Sequence, residues 1–281
     1  MDLAGRTVLV TGASGGIGEP LCAALIAAGA RVLAVGRDEA KLRRLAGQHP
    51  AGSVSPVVAD LATPEGRARV ADAARAARPT PSLLVLAHAQ AAFGLFEDQS
   101  PDQMAQLMQT NLVAPMLLMH AMLPVLLAHP SASVAVVGST FGSLAFPGFA
   151  AYSASKFGLR GMTEALAREY ADTPLRFQYL SPRATRTPFN TATVDALNAD
   201  LKVASDAPVE VARQLVAAIV QGAPRLQIGW PEKLFARLNG LVPGLVDRNL
   251  RASLPIVRRH ARPPRPSHAT QEILRHETTP R

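Results

Sequence analysis

The sequence predicts an α/β fold built on a doubly wound, mostly parallel sheet with helices on both faces. Short runs rich in valine and leucine alternate with alanine-rich segments of helical length along most of the 281 residues. These apolar runs lack polar alternation, as expected of parallel strands that are buried on both faces. The repeated order of strand and helix favours crossover connections within a single sheet.

Seven segments predict strands, and the helices lie between them. The predicted strands span residues 7–10, 31–36, 53–59, 83–87, 133–138, 175–180 and 225–229. The predicted helices include residues 17–28, 64–78, 101–128, 150–172 and 209–222. Residues 182–207 lose this pattern and become rich in threonine and alanine, so a looser segment is predicted there.

Length and composition restrict the class of protein. A chain that is 48% hydrophobic and 18% charged is long enough for one large domain with its own core. Its single cysteine, Cys22, excludes a disulfide framework and fits a reducing compartment. Half of the net charge of +8 lies in residues 258–281, which carry six arginines and two glutamates. The remainder is only mildly basic, so nucleic acid is not an expected partner.

The chain divides into three predicted regions. Residues 1–229 form the α/β domain, and residues 230–257 predict two short amphipathic helices interrupted at Gly240 and Pro243. We expect these helices to cover the domain, with a subunit contact or a membrane surface as alternatives. Residues 258–281 are rich in arginine and proline and are expected to be disordered. The first residues do not resemble a signal peptide, and no uninterrupted apolar run reaches about 18 residues, so a cytoplasmic protein is expected.

A glycine-rich turn follows the first predicted strand and opens the first helix. Glycines permit a tight turn and close backbone approach, and a helix N-terminus offers free N–H groups to a pyrophosphate. This strand–turn–helix context is the one that a dinucleotide site requires. The predicted phosphate-binding residues are Gly12, Ser14, Gly15, Gly16, Ile17 and Gly18.

The end of the second strand predicts which dinucleotide is bound. A NAD site usually offers an acid here to the adenosine ribose. Gly36 takes that position and Arg37 follows it, suited to a 2′-phosphate. NADP(H) is therefore favoured over NAD(H); alternatively, Arg37 stacks on adenine or faces solvent.

Tyr152 and Lys156 stand four residues apart, a spacing that places both side chains on one helix face. The chain has only three tyrosines and four lysines, against 25 arginines. A lone pair of this kind is more often a surface tyrosine and a solvated lysine, so other segments must decide its meaning.

The segments TGASGGIG, VADLA, NLVAP, GSTFGSLAFPGFAAYSASK and YLSPRATRTP together resemble the short-chain dehydrogenase/reductase family. The resemblance is collinear from about residue 5 to residue 229, and its most specific feature is a serine thirteen residues before Y-x-x-x-K. It implies a seven-stranded Rossmann sheet, a nicotinamide cofactor and hydride transfer to or from a carbon–oxygen bond.

The resemblance also implies roles for individual residues. Tyr152 matches the proton donor, and Ser139 matches the hydroxyl that holds the substrate oxygen. Lys156 would lower the pKa of Tyr152 and hold the nicotinamide ribose. Asn111 completes the catalytic set. The further implied cofactor contacts are Asp60, Leu61, Ala87, His88, Pro182, Thr185 and Thr187.

Two segments depart from the family pattern. Where N-N-A-G is usual, this chain has Ala87–Gln90, and where P-G is usual it has Pro182–Arg183. Ala87 is expected to loosen the cofactor floor. His88 is predicted either to pack at the strand end or to reach the cofactor or substrate. Arg183 is predicted either to meet an anionic substrate arm or to point to water.

Aromatic residues surround the predicted substrate position. Ser139, Phe141, Phe149, Tyr152, Arg183 and Phe189 are the predicted substrate contacts, under a lid formed by residues 184–206. They favour NADPH-dependent reduction of a lipophilic ketone or aldehyde, such as a 3-oxoacyl or fatty acyl chain. A silent dinucleotide sensor or scaffold and a non-redox hydrolase are the alternatives. A homo-oligomer is expected, and no metal site.

Overall fold

The computed structural model of the protein describes residues 1–262; the predicted disorder beyond that point lies outside the described residues. The elements, in chain order, are β1 (Thr7–Thr11), α1 (Gly18–Ala27), β2 (Arg31–Gly36), α2 (Glu39–Gly47), β3 (Val54–Val58), α3 (Pro64–Ala76), β4 (Pro81–Leu86), α4 (Pro101–Met108), α5 (Ala114–Leu127), β5 (Ala132–Val137), α6 (Ala150–Glu169), β6 (Leu175–Ser181), α7 (Ala192–Asp200), α8 (Pro208–Gln221), β7 (Arg225–Gln227), α9 (Glu232–Leu241) and α10 (Pro243–Ala261).

The seven strands form one sheet in the order β3-β2-β1-β4-β5-β6-β7, and every neighbouring pair is parallel. The predicted fold class is confirmed, and the predicted strand ends agree within two residues. The strand order reverses between β1 and β4. In open α/β sheets, ligands bind outside the carboxyl ends of the strands at such a reversal.

Successive residues of β1 point to opposite faces of the sheet and join two different cores. Val8 and Val10 pack with Leu21 of α1 and with the apolar face of α8. Leu9 packs on the other face with Leu118 of α5. Burial on both faces explains why the strands read as continuous apolar runs.

The predicted helix over residues 101–128 is continuous but changes pitch. A π-helical segment, Gln109–Val113, joins α4 to α5. Residues 101–127 have the length and hydropathy of a membrane-spanning helix. The sequence did not predict this, because no uninterrupted apolar run in it is long enough. Leu107, Leu118 and Met122 are fully buried inside the domain. Their burial accounts for the apolar composition, so this helix belongs to the core.

Two helices follow the last strand, as predicted, but the second is not short. Helix α10 has 19 residues and includes 258–261, which the sequence assigned to the disordered tail. Its Val257 is fully buried, and it packs on α7. Arg259 and His260 both pair with Asp200 at the end of α7, at 2.6 and 2.7 Å. These contacts hold the C-terminal extension against the domain.

Candidate active site

A cavity of about 550 Å³ opens at the carboxyl edge of the sheet. The loops that follow β1, β2, β3, β4, β5 and β6 all contribute to its lining, together with α7. The fold therefore places the cavity at the strand-order reversal, where an open α/β sheet binds its ligand.

The glycine-rich turn at one end of the cavity has no room for side chains. Gly12 has φ of +66°, and a Cβ there would lie 2.9 Å from the backbone of His88. A Cβ on Gly18 would overlap the Gly12 carbonyl, and one on Gly16 would overlap Thr187. No side chain of the described residues caps the N-terminus of α1. This backbone cradle, with free N–H groups at its helix end, fits a pyrophosphate.

The loop after β6 closes over the glycine-rich turn. Thr187 lies against Gly16, and the buried Thr185 donates a hydrogen bond to the Arg183 carbonyl at 3.0 Å. The Pro182 carbonyl accepts the N–H of Thr140 at 3.2 Å. Pro182, Thr185 and Thr187 all line the cavity, so the structure brings these predicted cofactor residues to the turn.

The opposite wall of the turn is formed after β2 and β3. Arg37 is exposed at the cavity, and no hydrogen bond or ion pair within residues 1–262 engages its guanidinium. Asp60 and Leu61 line the cavity as predicted, and the Asp60 carboxylate accepts the N–H of Ala62 at 3.0 Å. Lys41 also lines this wall and was not among the predicted residues. Two cationic side chains therefore stand at the adenosine end.

His88 packs at the end of its strand, the first of the two sequence alternatives. Its Nδ1 lies 2.7 Å from Thr11 Oγ1, which also accepts the Ala87 N–H at 3.1 Å. Its Nε2 is buried and has no hydrogen-bond partner in the described part of the chain. Burial, and then the charge of Lys156, lowers the pKa of His88 to about 4, so the ring is neutral at physiological pH. The residue also lines the cavity, and its unpartnered Nε2 is the ring nitrogen that a ligand there could engage.

Asn111 lies in the π-helical segment and is a positioning residue. Its Oδ1 accepts the Gln90 N–H at 2.7 Å, and its Nδ2 donates to the Gln90 carbonyl at 2.9 Å and to Ser155 Oγ at 3.2 Å. The side chain is fully buried and is not part of the cavity lining. Asn111 contacts the backbone atoms of Gln90 and not the Gln90 side chain. The departure from the family pattern at position 90 therefore does not disturb this contact.

Ser139, Tyr152 and Lys156 meet at the inner end of the cavity. Tyr152 is in the first turn of α6, and Lys156 Nζ lies 5.7 Å from the centre of its ring. The same ammonium is 3.4 Å from the Val137 carbonyl at the end of β5. Ser139 Oγ accepts the N–H of Phe141 at 3.1 Å, and its hydroxyl also forms a hydrogen bond with Tyr152.

Burial dominates the electrostatics of this group. It raises the pKa of Tyr152 to about 12, against a smaller opposing effect of the hydrogen bond with Ser139. Burial also lowers the pKa of Lys156 to about 8. The expectation that Lys156 beside a bound nicotinamide lowers the pKa of Tyr152 stays a prediction, because in the chain by itself loss of water sets the direction of the shift. The phenol is protonated at neutral pH, as a proton donor must be.

An apolar wall faces the phenol. Phe141 meets the Tyr152 ring edge-on at 6.2 Å and lies 5.0 Å from Phe149. Phe189 stands 6.2 Å from Tyr152 on the lid side. Phe146, which the sequence also places beside the predicted site, stacks on Phe141 at 5.6 Å. The predicted aromatic residues are therefore brought together.

The C-terminal extension completes this wall. Val257 of α10 is buried in the cluster that contains Tyr152, Phe149 and the α7 residue Leu197. A Cβ on Gly148 would come within 3.1 Å of Val257. The aromatic cluster beside the cavity is thus built by residues from two regions that the sequence had divided, although Val257 itself does not line the cavity.

The family model described as short chain dehydrogenase matches residues 6–198. The chain belongs to the short-chain dehydrogenase/reductase family. It is an NAD(P)-dependent oxidoreductase that acts on small-molecule substrates. Its sequence is similar to the uncharacterized oxidoreductase YciK of Escherichia coli K12, with 34% identity over 188 residues, 65% of this chain and 74% of that protein.

Two solved structures are similar to this oxidoreductase in fold. A short chain dehydrogenase from Burkholderia cenocepacia J2315, in complex with NADP, is 25% identical with a TM-score of 0.77, covering 89% of this chain and 99% of the other. A short chain dehydrogenase/reductase from Burkholderia phymatum, in complex with NAD, is 20% identical with a TM-score of 0.79, covering 88% and 96%. At that identity, the second likeness shows the fold alone.

Arg183 follows neither sequence alternative in this oxidoreductase. Its guanidinium forms two hydrogen bonds with the Asp206 carboxylate, at 2.9 and 2.7 Å, and lies 3.5 Å from Glu232. A Cβ on Gly229 would come within 2.5 Å of the Arg183 side chain. Two carboxylates, rather than substrate or water, therefore compensate the charge of Arg183. Through them the arginine links the end of the lid to the start of α9.

Sequence reasoning also missed Tyr179. The buried phenol donates a hydrogen bond to the Lys156 carbonyl at 3.1 Å. Its ring fills the space where a Cβ on Gly138 or Gly142 would lie, on either side of Ser139. The only sequence signal was a tyrosine at an apolar strand position. Tyr179 therefore packs against the Ser139 segment and bonds to the backbone of Lys156 from the core side.

Proposed function

We propose that the protein reduces lipophilic ketones or aldehydes with NADPH, with 3-oxoacyl or fatty acyl chains as the substrate class. The observation that carries this proposal is the buried, protonated phenol of Tyr152 at the junction of the cofactor cradle and an aromatic wall. A fatty chain requires such an apolar wall, and a carbonyl oxygen requires the donors at its inner end.

The residues have separate tasks in this reaction. A bound nicotinamide dinucleotide supplies the hydride that reaches the carbonyl carbon. Ser139 turns its hydroxyl proton from Tyr152 to the carbonyl oxygen, where negative charge develops. Tyr152 transfers its phenolic proton to the same oxygen, and the ammonium of Lys156 stabilises the phenolate that remains.

The preference for NADPH is supported by the adenosine end. Gly36 takes the place of the acid at the end of β2, and Arg37 lines the cavity there without an ion pair within residues 1–262. Lys41 also lines this wall and pairs with Asp38 at 3.6 Å. A 2′-phosphate would be paired by these cations, whereas a ribose hydroxyl gains less from them. One similar solved structure holds NADP and another holds NAD, so the proposed preference rests on Arg37 and its surroundings.

A cytoplasmic homo-oligomer is part of the proposal. Met116 and Leu117 on α5 and Phe157 on α6 are about two-fifths exposed, which supports contact with a second copy. The single cysteine, Cys22, is buried, and burial raises the pKa of its thiol to about 12, which supports a compartment without disulfide chemistry.

The test is NADPH oxidation with acyl carbonyl substrates of graded chain length, compared with NADH. Turnover should rise with chain length, and Tyr152→Phe should lose about 10²-fold or more of it while retaining NADPH binding. Binding of NADPH without turnover on any chain would favour a sensor. Ester hydrolysis that needs no NADPH would favour a hydrolase.

A further inference from the structure

The helical hairpin formed by α9 and α10 has a face that is fixed to the domain. In α9, Asn239 Nδ2 donates to the Ser143 carbonyl at 2.9 Å, and Glu232 pairs with Arg183. In α10, Val246 and Val257 are buried. These contacts hold the hairpin against the domain, so the side chains on its other face stay exposed in the folded protein.

The turn between the two helices is apolar and exposed. We call Leu241, Val242 and Leu245 the hairpin tip; their exposed fractions are 80%, 47% and 54%. Leu234, two helical turns before Leu241 on the same face of α9, is also exposed. This face lies away from Asn239, which is bound to the domain. Contact of three neighbouring apolar side chains with water is unfavourable, so transfer of the tip into an apolar phase lowers the free energy.

Basic side chains surround the tip. We call Lys233, Arg237, Arg248 and Arg251 the basic flank; all four are exposed, and none forms an ion pair within residues 1–262. Asp247 is the single acidic residue in the sequence from 233 to 262. The basic flank therefore presents positive charge, without ion-pair partners in the described residues, next to the apolar hairpin tip.

We propose that the hairpin tip docks on an anionic phospholipid bilayer, with the basic flank at the level of the headgroups. A bilayer with anionic headgroups complements both features, because it offers hydrocarbon beneath a layer of negative charge. A second copy of the chain fits poorly, since it would bring two like-charged flanks together. Three apolar side chains also provide too little area for a stable protein interface.

The test is flotation of the full chain with phosphatidylcholine vesicles, prepared with and without phosphatidylserine. The protein should float with the phosphatidylserine vesicles and remain unbound with phosphatidylcholine alone. Leu241→Asp should weaken vesicle binding about tenfold or more. Val209→Asp is the matched control, because Val209 is 69% exposed on α8, away from the hairpin, and receives the same charge.

A second pair of variants separates charge from apolar contact. Arg248→Gln with Arg251→Gln should weaken binding about tenfold or more and reduce its dependence on salt, whereas Arg43→Gln with Arg44→Gln on α2 should not. Equal binding of Leu241→Asp and Val209→Asp would overturn the proposal. So would equal flotation with both vesicle types, or a dimer that Leu241→Asp dissociates without any vesicle binding. All variants should retain the wild-type melting temperature, because every altered side chain is exposed.

Discussion

Tyr179 in β6 donates its phenolic hydrogen bond to the backbone carbonyl of Lys156 in α6, 23 residues earlier in the chain. The bond crosses from the sheet to the helix directly beneath the Ser139 segment, whose glycines make room for the tyrosine ring. The position of Lys156 is thus fixed from the core side as well as by its own helix.

Tyr179→Phe should lower the free energy of unfolding by about 1 kcal/mol, because it removes this bond and keeps the ring. The turnover number should fall while the affinity for the cofactor is unchanged. Urea unfolding and cofactor titration measure the two effects. Tyr170→Phe is the control, since its ring packs on Phe177 and its hydroxyl has no hydrogen bond in the described part of the chain. Equal effects of the two substitutions would show that the Lys156 contact adds nothing.

Arg37→Glu should weaken NADPH binding by about 1.4 kcal/mol or more, tenfold in Kd, because a like charge would face the 2′-phosphate. NADH binding should change much less. Fluorescence titration of both cofactors provides the measurement. Arg43→Glu makes the same charge change on α2, outside the cavity lining, and should leave both affinities intact. A parallel loss for NADPH and NADH contradicts the proposed preference.

Lys156 should make the stability of the cofactor-free protein depend on pH in a defined direction. Its pKa is about 8 in the fold and has an ordinary value of 10.5, so between these values the unfolded chain binds a proton that the folded chain has lost. The contribution of Lys156 to stability therefore rises with pH across that window, and below it the cost of the buried charge is present in full. Cys22, whose pKa burial raises from 9.0 to about 12, opposes this trend above pH 9. Tyr152, whose pKa burial raises to about 12, opposes this trend only above its ordinary value of 10.0.

Lys156→Met should consequently be more stable than the wild type at neutral pH, although it loses activity. The difference should narrow as the pH rises from about 8 to about 10, as measured by urea unfolding. Lys233→Met removes an exposed ammonium, so its difference from the wild type should stay constant over the same range. A pH-independent gap for Lys156→Met would mean that the lysine is not desolvated in the fold.

Shortened chains should distinguish the extension from the tail. A chain ending at Gly229 loses Val257 from the aromatic cluster and should lose activity and solubility. Ending at Val257 removes the pairs of Arg259 and His260 with Asp200 and those of Arg262 with Glu97 and Asp98, so this chain should melt earlier. A chain ending at Arg262 keeps all of these and should match the full protein. Full activity and a normal melting temperature in the shortest chain would contradict this ranking.

The sequence predicted the parts of the site that depend on short spacings. The glycine-rich turn connects two consecutive elements and the Tyr152–Lys156 pair lies on one helix, so the geometry of each follows from local sequence. The fate of Arg183 did not follow, because its partners Asp206 and Glu232 lie 23 and 49 residues further along the chain. Neighbouring residues gave no sign of them.

Two helices were absent from the predicted set for a different reason. Helices α2 and α7 are short, and their apolar faces are interrupted by charged or small polar residues. Both begin with a capping side chain: Asp38 accepts the Lys41 N–H at 3.0 Å and Thr191 accepts the Val194 N–H at 3.3 Å. These caps were the available local signal.

Val257 packs against the aromatic cluster but lies near the end of the chain, so the order of synthesis affects when this cluster is completed. A ribosome delivers residues 12–187, which supply most of the cofactor cradle, long before it delivers α10. The aromatic cluster that supports the substrate wall stays incomplete until the last helix emerges, because Val257 lies near the end of the chain. During synthesis, the nascent protein therefore gains the means to hold its dinucleotide before it has a finished place for the molecule that it transforms.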